Sequence, residues 1–470
     1  MQINFIGGAY TARSTNLNAQ QCINLYPVID QEGGKNVKAL YPTPGLKLWK
    51  DFQTVAEVRG LNVMGDYLIA VVGDTVYALD KNGNANSAST TLNTSSGVVF
   101  MENNGTQCMI VDGSYGYIVT LSGGTPTVTQ ITDEDFPTPS SLTYQDGYFI
   151  VSKEDSDRFY ISAINDGTSW NSLDYASAEG RSDNLVSCLS DHRELWLFGE
   201  ETTEVWYNSG NADFPFQRFE GAFLEIGCGA KHSPAKLDNM VFWLTDKGAI
   251  VRAVGYNPQI ISTRQIEYQI SQYSTISDAI GFGYKQEGHA FYVLTFPTAN
   301  RTWVYDAATG FWHERRSKWP DMTRWRANCY VFFNNKHLVG DMENGKIYEL
   351  DTSYYKEDDQ TMGCIRTCQV IHADRKRIFF HSFEIDFEAG IGLATGQGDD
   401  PQAMLQWSDD GGHTWSNEHW RSIGKIGEYK KRVIWRRLGQ ARERIFKVTI
   451  TDPVNRVIIG AHLNATIGRS

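Results

Sequence analysis

Residues 408–415 carry the most specific local motif in the sequence. They read Ser-Asp-Asp-Gly-Gly-His-Thr-Trp and fit the pattern S-x-D-x-G-x-T-W at every position. In such a turn an aspartate accepts backbone N–H groups, a glycine adopts positive φ, and the tryptophan packs against the hairpin. The pattern therefore predicts a self-stabilising β-turn. Its structural residues are Ser408, Asp410, Gly412, Thr414 and Trp415.

This motif resembles the Asp-box of sialidases and of other β-propellers, and residues 163–170 form a degenerate copy. Asp-boxes are structural even in sialidases, which also need an arginine triad that an Arg-Ile-Pro sequence near the N-terminus usually announces. This chain has no Arg-Ile-Pro sequence. A glycan-degrading or glycan-binding protein stays an alternative. It would need arginines and paired carboxylates converging at a propeller centre, or exposed Trp407, Trp415 and Trp420 in a groove.

Other residue types that could do chemistry lack the necessary spacing. Paired carboxylates such as Glu200 and Glu201 fall in polar, turn-like clusters, where burial would not push two pKa values apart. No HExxH, G-x-S-x-G, P-loop or dinucleotide-binding motif occurs. Cys364, Cys368 and His372 have no fourth ligand at zinc-finger spacing. We therefore predict no enzymatic activity, no metal and no cofactor.

A strongly basic segment lies at residues 425–447. It holds nine Lys and Arg residues against two glutamates, a net charge of +7, which leaves −19 on the rest of the chain. This asymmetry favours a docking surface for an acidic partner or for phosphate. A solvated strand pair that bridges to an acidic propeller, and direct DNA contact, stay open. The predicted docking residues are Lys430, Lys431, Arg432, Arg436, Arg437, Arg442, Arg444 and Lys447.

The composition indicates which elements must position these residues. The chain has 470 residues, 41% hydrophobic and 13% aromatic, with 43 glycines against 13 prolines, which is typical of a turn-rich β protein. The net charge of −12 argues against a general nucleic-acid coat or a membrane-surface protein. We expect no secretory leader and no membrane insertion. The odd number of scattered cysteines, seven, fits a protein made in a reducing cytoplasm.

A repeat organises most of the chain. Groups of three or four short apolar strands recur every 40–52 residues between residues 56 and 355, which is the period of a β-propeller blade. We predict an all-β fold: an extended N-terminal arm at residues 1–55, a six- or seven-bladed propeller at 56–355, and a C-terminal β-sandwich-like module at 361–470. Helix is scarce, and residues 276–280 are the best candidate for one turn.

Several stretches together resemble one family: the packaged-DNA stabilisation proteins, or tail accessory (tail hub, nozzle) proteins, of short-tailed bacteriophages. The matching stretches are CINLYP with PTPGL, YISAINDGTSWNSLDYASAEG, LWLFGEETTEVWYNSG, SDAIGFGYKQEGHAFYVLTFPTANRTWVYDAATGFWHERRS and KKRVIWRRLGQAR. They occur in this order along the whole chain. None of them is a catalytic signature.

This resemblance implies a structural virion protein of the tail. Such a protein docks below the portal and adaptor rings, closes the DNA channel after packaging, and anchors fibre, spike or needle proteins. It implies a homo-oligomeric ring, with six-fold symmetry expected, and DNA that passes without sequence-specific binding. A negatively charged surface suits a channel through which DNA must slide. An extended arm suits ring assembly by exchange with neighbours.

Overall fold

The computed structural model describes residues 3–30, 32, 37–181 and 183–468. The N-terminal segment forms short strands. They are β1 (Tyr10–Thr11), β2 (Ala19–Gln20), β3 (Cys22–Ile23), β4 (Leu25–Ile29), β5 (Lys38–Pro42) and β6 (Gly45–Asp51).

Seven successive antiparallel sheets follow, and we number them as blades 1 to 7. The strands of blades 1 to 3 are β7 (Val58–Met64), β8 (Tyr67–Val72), β9 (Thr75–Leu79), β10 (Ala85–Ser87), β11 (Phe100–Asn103), β12 (Gln107–Val111), β13 (Gly116–Ser122), β14 (Thr125–Gln130), β15 (Pro139–Gln145), β16 (Tyr148–Lys153), β17 (Arg158–Ala163) and β18 (Asp166–Ser177). Those of blades 4 and 5 are β19 (Leu185–Asp191), β20 (Glu194–Gly199), β21 (Thr203–Asn208), β22 (Phe216–Leu224), β23 (Ala235–Leu237), β24 (Met240–Leu244), β25 (Ile250–Val254) and β26 (Asn257–Ile260).

Helix α1 (Arg264–Ser271) precedes blade 6. Blade 6 and the short hairpin after it comprise β27 (Ile280–Gln286), β28 (His289–Phe296), β29 (Arg301–Asp306), β30 (Phe311–Glu314), β31 (Arg316–Ser317) and β32 (Thr323–Arg324). Blade 7 and its extension comprise β33 (Ala327–Phe333), β34 (Lys336–Asp341), β35 (Lys346–Asp351), β36 (Lys356–Glu357) and β37 (Gln360–Thr361).

The C-terminal domain is the predicted sandwich. Its strands are β38 (Cys364–Thr367), β39 (Ile371–His372), β40 (Ile378–Phe387), β41 (Gln402–Ser408), β42 (His419–Ser422), β43 (Val433–Arg436), β44 (Gln440–Ala441), β45 (Glu443–Ile450) and β46 (Ile458–Ile467). One sheet has the order β38-β45-β41-β42 and the other has β5-β46-β40-β43. Phe383 from one sheet stacks on Phe446 from the other, with ring centroids 4.5 Å apart, in a shared apolar core.

The propeller has seven blades, which resolves the six-or-seven alternative. The first strand of each blade lies innermost, and the seven inner strands surround a central cavity of about 210 Å³. The outer strand of blade 7 is β6, which pairs antiparallel with β35, Leu48 opposite Tyr348. An N-terminal strand therefore closes the ring by pairing with the last blade.

The N-terminal segment is extended, as predicted, but it is not a free arm. Strand β3 pairs with β30 of blade 6 and with β38 of the sandwich, so one sheet runs through both domains. Strands β4 and β5 form a hairpin that joins the other sandwich sheet through β46. In this structure the segment pairs with both domains of its own chain, and exchange with neighbouring subunits stays a prediction.

The predicted helical turn at residues 276–280 is also corrected. These residues form a turn that leads into β27, whereas the helix of the described chain lies at Arg264–Ser271. The Thr263 side chain caps it by accepting a hydrogen bond from the Ile266 backbone N–H, and Ile266 and Ile270 bury one face. No helix in the described part of the chain is long and apolar enough to cross a membrane.

Candidate docking surface

Most of the basic segment lies exposed on the sandwich. It follows β42, forms the edge strand β43, and turns through Arg437, whose φ is +60°, into β45. Seven of its nine basic residues are exposed, and we call them the basic surface. They are Lys425, Lys430, Lys431, Arg432, Arg436, Arg437 and Arg442.

Only part of this charge is neutralised within the chain. Arg432 donates to both Glu384 oxygens, at 2.7 and 2.6 Å, and Lys431 lies 3.3 Å from Glu428. Arg436 and Arg437 form no ion pair with any described residue. Unpaired arginines on an edge strand remain available to a partner.

The loop between β42 and β43 presents apolar side chains within the basic surface. Ile426 and Tyr429 are 65% and 75% exposed. The loop is held in shape because Glu428 accepts a hydrogen bond from the Lys425 backbone N–H, 3.1 Å away, and Gly427 donates to the Gly390 carbonyl. An exposed tyrosine among arginines is a common feature of protein interfaces. Sequence reasoning missed this pair, although two large apolar residues in a Gly- and Lys-rich loop were a visible signal.

The prediction is corrected for two docking residues, Arg444 and Lys447, because they do not lie on the basic surface. Arg444 is 2% exposed and donates to both Asp409 oxygens, at 2.6 and 2.7 Å, above the Phe380 ring. Lys447 is half-buried, with its ammonium 4.1 Å from the centre of the Trp415 ring. Both side chains stabilise the sandwich and are not available for docking.

The Asp-box motif forms a tight turn after β41, at the surface of the sandwich. Asp410 accepts hydrogen bonds from the Thr414 hydroxyl at 2.6 Å, from the Thr414 backbone N–H at 2.9 Å and from the Ser408 hydroxyl at 2.7 Å. These donors hold the pKa of the Asp410 carboxyl well below its usual range. Gly412, at φ +95°, donates to Ser408. The hydrogen bonds among Ser408, Asp410, Gly412 and Thr414 close the turn, whereas Asp409 pairs with Arg444.

Replacing Asp410 with Ala should lower the melting temperature of the protein at pH 7, because the turn donors lose their acceptor. A carboxyl with a lowered pKa stabilises the fold above the pKa of the unfolded chain, so the deficit should shrink as the pH falls below about 4. Thermal unfolding at both pH values, with exposed Asp359→Ala as the control, measures this. A variant that melts like the parent but has lost a measurable glycan cleavage would show that Asp410 is catalytic.

The residues that the glycan alternative requires do not assemble. Trp407 stacks on His419 and Trp415 lies beneath Lys447, which leaves Trp420 as the exposed member of the three tryptophans. The central cavity of the propeller is lined by one carboxylate, Glu102, and by no described arginine. Burial raises the pKa of Glu102 to about 6. The described residues contain no cluster of His, Cys, Asp or Glu that could hold a metal ion.

Comparison with known families gives this architecture a context. The family described as "Bacteriophage P22 Gp10, beta-propeller" matches residues 1–355, and "Bacteriophage P22 Gp10, beta-sandwich" matches residues 364–466. The chain belongs to the bacteriophage P22 Gp10 family. The resemblance drawn from the sequence is therefore confirmed, as are the propeller and the C-terminal sandwich. The Gp10 family consists of phage structural proteins, which implies a place in the virion.

Other comparisons are more distant. A search of curated proteins found no match. Among solved structures, a virginiamycin B lyase from Staphylococcus aureus is 10% identical with a TM-score of 0.44, over 65% of this chain and 98% of that one. The extracellular domain of a putative one component system from B. thetaiotaomicron is 11% identical with a TM-score of 0.45, over 88% of this chain and 59% of that one. Similarity at this level does not transfer lyase or sensor activity to the Gp10 chain.

Proposed function

We propose that this Gp10 family protein is a non-enzymatic tail hub that docks on the portal–adaptor assembly through its basic surface. The observation that carries this proposal is the exposed cluster of cations around Ile426 and Tyr429, on a chain that is otherwise acidic. Cations around two exposed apolar side chains suit an acidic protein partner, because the charges speed association and the buried apolar contacts provide affinity.

The same charge distribution supports a role in closing the DNA channel. Most of the chain is acidic, so DNA would not adhere to it, whereas the basic surface is confined to one edge of the sandwich. The propeller and sandwich share a sheet through β3, which suits a subunit of a ring, with six-fold symmetry expected. Fibre, spike or needle proteins would attach to its distal side.

Particles assembled without this protein test the proposal. We expect them to package DNA and then lose it, because the channel stays open. Adding the purified protein during packaging, before the DNA escapes, should raise the amount of nuclease-resistant DNA that the particles keep, and this gain should weaken with salt as the Debye length falls from ~10 Å at 0.1 M to ~3 Å at 1 M. DNA retention that is normal without the protein would contradict the channel-closing role.

A further inference from the structure

Two adjoining depressions lie where the turns of blades 3, 4 and 5 meet on one face of the propeller. Their volumes are about 680 and 330 Å³, and both are lined by His192 and Glu194, so they form one continuous groove. Ligand pockets typically measure ~300–1,000 Å³. We call this feature the blade 4 groove. It lies on the propeller and contains no residue of the basic surface or of the Asp-box.

A row of aromatic rings lines the blade 4 groove. Tyr207 and Phe219 are 38% and 41% exposed, and their ring centroids are 6.2 Å apart. Phe219 in turn lies 5.2 Å from Tyr256 of blade 5. Exposed neighbouring rings in a concave site offer flat apolar faces beside polar edges. Such faces suit a ligand that is itself amphipathic and flat, as the C–H faces of sugar rings are.

Unpartnered polar atoms are buried at the groove. The Trp196 side chain is 3% exposed, lines the smaller depression, and its indole N–H has no acceptor among the described residues. Asp146 lines the larger depression, and its Oδ2 atom is buried without a donor there. Native structures rarely leave such atoms unpaired. The groove therefore offers the Trp196 indole N–H as a donor and Asp146 Oδ2 as an acceptor to a ligand that can both accept and donate hydrogen bonds.

The turn between β19 and β20 lies at the edge of the groove, and among the equivalent described turns it is the one in which both positive-φ residues are other than Gly, Asn or Asp. His192 and Arg193 both have positive φ, at +51° and +65°. The equivalent turns use residues that tolerate this conformation, such as Asp146-Gly147 in blade 3 and Asn334-Asn335 in blade 7. Arg193 is held by Asp146, 3.2 Å away, and by Gln145, which donates to its carbonyl at 2.7 Å. Residues whose backbone is kept in such a conformation cluster at functional sites.

The charges of the groove indicate the class of ligand. Asp146, Asp191, Glu194 and Glu220 line the two depressions together with Arg193 and Arg218, so the lining carries a net negative charge. This excludes polyphosphate and acidic peptides as favoured ligands. We propose that the blade 4 groove binds a neutral oligosaccharide, whose rings stack on Tyr207 and Phe219 and whose hydroxyls pair with Asp146 and Trp196. This site is separate from the Asp-box and from the sandwich tryptophans.

Titration of the full chain with maltohexaose, mannohexaose and chitohexaose, each up to about 10 mM, tests the proposal by calorimetry and saturation-transfer NMR. We expect at least one of these hexasaccharides to bind. The double variant Tyr207→Ala/Phe219→Ala should weaken that binding more than about tenfold, because the stacking faces are removed. The matched double variant Tyr115→Ala/Phe332→Ala removes exposed rings elsewhere on the propeller and should bind like the parent.

Either of two results would overturn the proposal: none of the three hexasaccharides binds to the parent protein, or binding persists unchanged in the groove variant. If no hexasaccharide binds and the groove variant also fails to join phage particles, the groove is a protein interface. Because the docking test measures DNA retention and this test measures sugar binding, failure of one leaves the other interpretable.

Discussion

Replacing Arg366 with Ala should destabilise the protein by about 3 kcal/mol or more, the largest effect on stability that we expect from one substitution. Arg366 is 1% exposed and lies in β38 of the sandwich. Its guanidinium donates to four acceptors of the N-terminal segment. They are the carbonyls of Phe5 (2.7 Å), Gly8 (2.9 Å) and Gln21 (3.2 Å), and Oε1 of Gln20 (2.8 Å). Each buried acceptor left without a donor costs about 1–3 kcal/mol.

Hydrogen exchange followed by mass spectrometry measures this effect locally. In the variant, residues 3–21 should lose protection first, because Arg366 ties them to the sandwich. In Arg366→Lys the protection of residues 3–21 should be intermediate between that in the parent protein and that in Arg366→Ala, since one ammonium cannot reproduce the geometry of a guanidinium. The exposed Arg377→Ala is the matched control and should behave like the parent. Unchanged protection of residues 3–21 in Arg366→Ala would show that the segment is held by other contacts.

Reversing the charge of Arg436, Arg437 and Arg442 together, each to Glu, should abolish attachment to particles while the protein stays folded. All three side chains are exposed, and surface charges contribute little to stability. Like charges placed against an acidic partner would repel it and slow association. Each protein is added during packaging to an extract that lacks it, and the measurement is the amount of protein bound to the particles together with the nuclease-resistant DNA that they retain. We expect both to fall more than about tenfold relative to the parent protein.

A control triple variant separates this local effect from the change in net charge. Lys81→Glu, Lys247→Glu and Lys285→Glu change the charge equally, on exposed positions of blades 1, 5 and 6. This variant should attach and retain DNA normally. If both triple variants lose attachment equally, the cause is the change in net charge. If the Arg436/Arg437/Arg442 variant attaches normally, the basic surface is not part of the interface.

The sequence predicts the propeller well because its signal is local. Each blade is a run of short apolar strands joined by tight turns, so the repeat appears directly in the spacing of hydrophobic residues. The number of blades was ambiguous because the outer strand of blade 7 is β6, which pairs with β35 from the other end of the domain. Long-range pairing of this kind leaves no periodic signal. The pairing of β3 with both domains could not be predicted for the same reason.

The basic segment shows how far the sequence could predict the candidate docking surface. Its net charge of +7 can be counted from the sequence, and most of these side chains are indeed exposed. The sequence did not show that Arg444 is buried against Asp409 or that Lys447 covers Trp415. Both residues lie in β45, between β38 and β41, so their surroundings depend on sheet order. The blade 4 groove likewise depends on how neighbouring blades meet.

A cryo-electron microscopy reconstruction of the tail of intact particles tests the central claim most directly. We expect a ring of seven-bladed discs below the portal and adaptor, with the sandwich edge that carries Arg436 and Arg437 in contact with the adaptor. The order of the ring, expected to be six-fold, would be read from the same map. A tail map that contains no density for this protein, or that shows the basic surface facing solvent in every subunit, would contradict the claim.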